Sequence, residues 1–331
     1  MPRFLVVRFS SIGDIVLTSP VLRCLKQQVP GAEIHFLTKP QFVQVLANNQ
    51  YIDKLWEWGD KPGPLLDELK KQRFDMLIDL HHNLRSLRVK LALGVRSVSF
   101  NKLNFEKYLY VRFKINRLPD RHIVDRYMDT LAGLGVKNDG LGLDYFLPED
   151  IGPDLLKKLP ETHQQGFAAL VCGALKGTKR MPDDMLSSLC RQIKRPVVLL
   201  GGKAEAALGQ TIAEACGGNV FNACGKFSLH ESAWFVKASE VVLTHDTGLM
   251  HIAAAFKKPI VSIWGNTVPA FGMYPYLQGN EQLNVISEVQ GLSCRPCSKI
   301  GFDKCPKGHF RCMRNQDLPA IISAVEKLSG N

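Results

Sequence analysis

Short apolar runs of four to seven residues alternate with stretches of helical spacing along this chain, and the alternation restarts once, after 138–154. Strands are expected at 4–9, 33–38, 54–58, 74–80 and 97–100, with helices at 14–29, 64–73 and 83–93 and a further one at 122–134. The stretch "NDGLGLDYFLPEDIGPD" then reads as a linker, from its Gly, Pro and Asp content. The second half repeats the scheme, with strands at 167–171, 196–200, 220–223, 241–245 and 259–264 and helices at 182–193, 204–215, 229–238 and 248–256. Strands separated by helices pair in parallel and are covered on both faces. The expected fold class is therefore α/β: two Rossmann-like, doubly wound domains, 1–150 and 151–331, facing a cleft with a ligand on each side.

With 45% hydrophobic and 22% charged residues in 331, the chain can bury two large cores. No apolar run reaches a membrane-spanning length, and "MPRFLVVRFS" turns polar too soon for a signal peptide, so the expected location is the cytoplasm. The formal net charge of +11 is concentrated: residues 81–127 hold eleven Lys or Arg against three acids. Such a footprint suits a polyanion, an anionic membrane surface, or a phosphorylated and carboxylated substrate. Nucleic-acid binding would explain the charge alone, but the segment has no stacking motif and the chain none of the recognisable nucleic-acid folds. A sugar-nucleotide epimerase on the same fold is the nearer alternative.

"VVRFSSIGDIVLTSPVL" places an acid where a strand gives way to a helix. Ser11 and Asp14 have capping-box spacing, and an acid there also suits the helix dipole. The turn has Gly13 alone, too few glycines for a dinucleotide fingerprint, so it can instead hold one carboxylate at the sheet's carboxyl edge.

In the second half, "VVLTHDTGLMHIAAA" runs from a strand through Asp246, Thr247 and Gly248 into a helix, with His251 one turn on. Backbone N–H groups, a hydroxyl and a positive helix end there suit a phosphate, although Asp246 could also be a plain N-cap and His251 a core histidine. "CGALKGTKRMPDD" brings Lys176, Thr178, Lys179 and Arg180 to the same edge, and the Gly201-Gly202 turn offers Glu205 to ribose hydroxyls. No Asp-x-Asp is present to clamp a metal on a diphosphate. Cys294, Cys297, Cys305 and Cys312, with His309 nearby, would allow a structural zinc, but a single close pair makes reduced thiols the favoured reading.

Taken together, "RFSSIGDIVLTSPVL", "DLHHNLRS", "KRMP" and "THDTGLMHIAAA" resemble, in order over nearly the whole chain, the ADP-heptose:lipopolysaccharide heptosyltransferases of glycosyltransferase family 9. The resemblance implies a GT-B architecture, anomeric inversion and no metal. It implies an ADP-sugar donor on the C-terminal domain and an acidic lipopolysaccharide core acceptor on the N-terminal one, at the inner membrane surface. Asp14 matches the family's general base and Lys179 its phosphate-binding lysine. Thr247, Gly248 and Leu249 match its phosphate-binding helix start, and Met181 stands where the family often has Trp. The expected nucleotide-sugar set is Thr178, Lys179, Glu205, Asp246, Thr247, Gly248, Leu249 and His251. The expected acceptor set is Ser11, Gly13, Asn83, Arg85, Ser86 and Arg88.

Overall fold

A computed structural model describes residues Met1 to Gly330, which divide into two units. The first comprises Met1–Leu103 and Arg121–Phe146; the second comprises Asn104–Asp120 and Leu147 onward. The last boundary, at 146–147, lies within the 138–154 stretch, whereas the excursion at Asn104–Asp120 departs from the expected division into 1–150 and 151–331. It also splits the basic segment, since Lys107, Arg112, Lys114 and Arg117 belong to the second unit.

The first unit is built on β1 (Arg3–Val7), β2 (Glu33–Thr38), β3 (Lys54–Glu57), β4 (Met76–Asp79) and β5 (Arg96–Ser99), in the order β3-β2-β1-β4-β5. All its pairings are parallel, with Phe4 opposite Ile34 on one side and Met76 on the other. Leu5, Val7, Leu37 and Leu77 point into one core with Leu69 and Val89, because strands covered on both faces need apolar residues throughout. The expected 14–29 helix is two helices, Ile12–Val16 and Ser19–Gln28. The hydroxyls of Thr18 and Ser19 bond back to the Ile15 and Val16 carbonyls at 2.7 and 2.8 Å, and Pro20 has no N–H to continue the ladder. The 122–134 helix becomes Ile123–Met128 followed by a 3-10 segment, Asp129–Leu134, closed by Gly135 in the left-handed region (φ 72°).

The second unit has β6 (Ala168–Val171), β7 (Val197–Leu200), β8 (Val220–Asn222), β9 (Val241–His245), β10 (Ile260–Trp264) and β11 (Asn284–Glu288). Their order, β11-β10-β9-β6-β7-β8, is again wholly parallel. β11 was not expected. It is an edge strand with no fully buried residue, so its sequence NVISE lacks the apolar run of an inner strand. In both sheets the chain starts in the middle and reverses direction once, between β1 and β4 and between β6 and β9. Those reversals fix where each unit can hold a ligand.

The end of the first unit is tied back by Arg23, which is 2% exposed. It donates to Asp139 at 2.7 and 2.8 Å and to the Gly142 carbonyl at 2.8 Å, and also pairs with Asp144. Its hydrogen bonds push Asp139 down to about 2. Arg23→Met is expected to lower stability by about 3 kcal/mol or more, because two carboxylates lose their buried counter-charge. Urea denaturation at neutral pH measures this; a loss under 1 kcal/mol, about the worth of an exposed pair, would contradict it.

Candidate active site

The loop after β1 lies at the first reversal. Arg8, 7% exposed, donates through Nε to the Ser10 carbonyl at 2.8 Å and through Nη1 to the Leu80 carbonyl beyond β4. It thereby staples the two loops that part there. Its Nη2 meets Asp14 Oδ1 at 2.6 Å. Burial works against the Arg8 charge, but Asp14 helps hold the guanidinium above its ordinary value. Asp14 Oδ2 accepts the Ser11 backbone N–H at 3.1 Å and the Ser11 hydroxyl at 2.8 Å. Ser11 and Asp14 thus form the reciprocal capping box that their spacing suggests, and the serine hydroxyl bonds the acid as well. Gly13 is buried in the same turn.

After β4, Asp79 is fully buried, pairs with Lys90 at 2.7 Å and accepts the N–H groups of His81 and His82. Burial, then Arg8 and Lys102, push His81 down to about 4, and its ring packs on Phe9 at 5.3 Å. Asn83 and Ser86 form a reciprocal cap, Ser86 N to Asn83 Oδ1 at 3.0 Å and Asn83 N to Ser86 Oγ at 2.9 Å. Ser86 is fully buried, so these two residues start the Leu84–Leu93 helix. Arg85 and Arg88 differ: both line a cavity of about 640 Å³ with Lys39, Gln41, Trp58 and Asp60. Lys39 and Trp58 follow β2 and β3, so strand order, which spacing does not disclose, brings them there.

The second reversal sets the loop after β6 beside the loop after β9. Lys179 Nζ contacts Asp246 Oδ2 at 2.6 Å, and Thr267 Oγ1 donates to the same oxygen at 3.1 Å. The cation thus sits just ahead of the Gly248–Ala255 helix, whose first residues, Gly248 and Leu249, are half-buried. Thr247 Oγ1 lies 3.1 Å from Thr244 Oγ1. Glu205 accepts the Gly202 N–H at 2.9 Å and fills the space beside Gly173 and Gly201, where an added Cβ would come within 2.8 and 2.9 Å of it. Its carboxylate is therefore at the ends of β6 and β7.

Three of the residues singled out in the sequence are buried. Thr178 is 2% exposed and trades bonds with Phe302: its N–H and hydroxyl donate to the Phe302 carbonyl at 2.9 and 3.0 Å, and its Oγ1 accepts the Phe302 N–H at 2.8 Å. His251 is 2% exposed within its helix. Met181 is fully buried in the core, and its N–H donates to His245 Nε2 at 3.0 Å. His245, unremarkable in sequence as the last residue of a strand, thus holds the lysine loop. Burial and then Arg180 push it down to about 4, keeping the ring neutral and Nε2 an acceptor.

The cysteine-rich segment buttresses the loop after β6 and the loop after β10. Lys176 pairs with Asp303 at 3.0 Å, and a Cβ on Gly177 would meet the Asp303 carbonyl oxygen at 2.2 Å. Arg295 donates to the Gly265 carbonyl at 2.6 Å and the Thr267 carbonyl at 2.9 Å. Cys294 Sγ lies 3.8 Å from His309 Nε2. Among the described residues, no three His, Cys, Asp or Glu side chains converge as metal ligands. Nor is any helix among them long and apolar enough to cross a membrane.

The family model for "Glycosyltransferase family 9 (heptosyltransferase)" matches residues 64–301. The chain belongs to glycosyltransferase family 9. It is 33% identical over 317 residues to lipooligosaccharide heptosyltransferase 2 of Haemophilus influenzae, covering 81% of this chain and 84% of that protein. It is 24% identical over 289 residues to lipopolysaccharide heptosyltransferase 1 of Campylobacter coli, covering 79% and 83%. Among solved structures it resembles ADP-heptose lps heptosyltransferase II of E. coli, with a TM-score of 0.74 and 18% identity over 99% of this chain and 98% of that one. The fold class is accordingly GT-B, as in other family 9 structures.

His81 and His245 both titrate near 4 in the folded protein, against an ordinary value of 6.5. Between those values the unfolded chain binds more protons, so stability falls as pH drops from about 6.5 to about 4 and is fully present above that window. At pH 5 the cost is about 2 kcal/mol per histidine at most. Urea midpoints of the protein and of His245→Gln at pH 7 and pH 5 test this: the variant should lose less on acidification, and an equal loss would refute the assignment.

Proposed function

We propose that this family 9 chain is an inverting, metal-independent heptosyltransferase that moves heptose from ADP-heptose to the inner core of lipopolysaccharide, either Kdo-lipid A or its heptosylated form. It would work in the cytoplasm, peripheral to the inner membrane. The first unit takes the acceptor and the second the nucleotide sugar. The observation that carries the reading is the content of the two sheet reversals: an oriented carboxylate at one, and a lysine ahead of a helix start at the other.

Arg8 and Ser11 fix the Asp14 carboxylate in one orientation at the sheet edge. It accepts the proton of the acceptor hydroxyl as that oxygen attacks the anomeric carbon. The bond to the ADP oxygen breaks on the opposite face, its electron pair leaves with ADP, and the configuration inverts. Lys179 moves from Asp246 to the departing phosphate, whose charge the start of the Gly248–Ala255 helix also stabilises. Glu205 is placed for ribose hydroxyls. Arg85, Arg88 and Lys39 offer cations to the carboxylates and phosphates of the acceptor, and Trp58 offers a flat apolar face to a sugar ring. Two of the relatives are lipopolysaccharide and lipooligosaccharide heptosyltransferases, and the similar E. coli structure is that of an ADP-heptose lps heptosyltransferase, which supports the donor and acceptor.

Asp14→Asn is expected to lower turnover with ADP-heptose by roughly 10² or more while preserving ADP affinity, since proton acceptance is what it removes. If the acid only caps the helix, about 1 kcal/mol of stability is lost and turnover at saturation stays near normal. Steady-state kinetics beside a thermal melt separate the two.

Lys179→Ala is expected to weaken ADP binding and slow transfer together, because the cation meets phosphate in the ground state and more strongly in the transition state. Calorimetric titration with ADP checks this. Unchanged affinity would place the diphosphate elsewhere.

A further inference from the structure

The Leu84–Leu93 helix that helps form the cavity has one side left over. Its inner side is used: Ser86 and Val89 are fully buried, and Lys90 reaches Asp79. On its outer side Leu84 is 84% exposed, Leu87 46% and Leu91 75%. Spacings of three and four put these leucines on one face. Arg85 and Arg88 are exposed beside them, and residues 80–105 contain five cations, Arg85, Arg88, Lys90, Arg96 and Lys102, and no acid.

We propose that this face is the docking surface for an anionic lipid bilayer. The leucines enter the boundary between headgroups and acyl chains, while Arg85 and Arg88 remain at headgroup depth, as in an interfacial amphipathic helix. Charge favours this occupant over a second copy of the chain. Two such faces brought together would set four arginines against one another with no acid from residues 80–105 to offset them, whereas phosphates complement them. Position favours it as well, because Leu84, Arg85 and Arg88 also line the 640 Å³ cavity. A bilayer against the leucines would therefore present a lipid-linked sugar head at the cavity mouth. This deepens the transferase reading and rests on it for its purpose.

The test uses the full chain and needs neither donor nor acceptor, so its outcome is separate from that of the transferase reading. Sedimentation with vesicles of phosphatidylcholine plus phosphatidylglycerol is compared with pure phosphatidylcholine, for the protein and for Leu87→Gln/Leu91→Gln, which keeps helix propensity and spares the cavity. Native protein is expected to bind the anionic vesicles at least about tenfold more tightly than the neutral ones, and the variant to lose about tenfold or more of that affinity. ADP affinity and the thermal midpoint of the variant should match the native values, showing that it is folded. A folded variant with native vesicle affinity, or a native protein indifferent to anionic vesicles, would overturn the proposal. So would a change in oligomeric state on light scattering with vesicle binding intact, which would assign the face to a second copy.

Discussion

Every strand of a parallel sheet ends at the same edge, and at a single reversal of strand order two loops must turn away from each other. That constraint places most of the candidate site residues here. The loops after β1 and β4 part in the first unit, those after β6 and β9 in the second, and the polar residues between the apolar strands fall at those openings. Arg8 shows what the geometry requires: two diverging loops leave backbone carbonyls without ladder partners, and one buried guanidinium answers for Ser10 and Leu80 while holding Asp14. In the second unit the equivalent opening is held by a chain of contacts. Arg295 fixes the Thr267 backbone, the Thr267 hydroxyl bonds Asp246, and Asp246 holds Lys179.

That chain gives the cysteine-rich segment a task that does not depend on a metal. Phe302 clamps Thr178 and Asp303 pairs with Lys176, so the segment sets the height of the lysine loop above the sheet. A second support comes from below, where the neutral ring of His245 receives the Met181 N–H. The Met181 side chain itself is consumed by the core.

The alternation of strand and helix was legible because inner parallel strands must be apolar and end at turn residues; the ten strands read from it shift by at most two residues. β11 and the Asn104–Phe113 helix escaped for one reason: neither buries a full face, so neither has the periodicity that marks an element. At the sites, Asp246 directly follows β9, while Asp14 and Lys179 lie in the turn-to-helix stretches after β1 and β6, which the break in each apolar run marks in the sequence. Lys39 and Trp58 reach the cavity only through the order β3-β2-β1, and long-range pairing leaves no local mark. Asn83, Ser86 and Thr178 stand after β4 and β6, but Asn83 Oδ1 and the hydroxyls of Ser86 and Thr178 are taken by backbone groups, and sequence records the position without the partner.

The excursion of Asn104–Asp120 has a topological consequence. The chain passes from one unit to the other three times, at 103–104, 120–121 and 146–147, so no single cut yields two whole units. A piece ending at the linker would carry a helix whose Lys114 has lost the Cys294 and Pro296 carbonyls and whose Tyr110 has lost Phe271. Its counterpart would keep those partners with nothing to bind. The two halves look modular along the sequence, yet the N-terminal half of the chain contains material that the second unit needs in order to be complete.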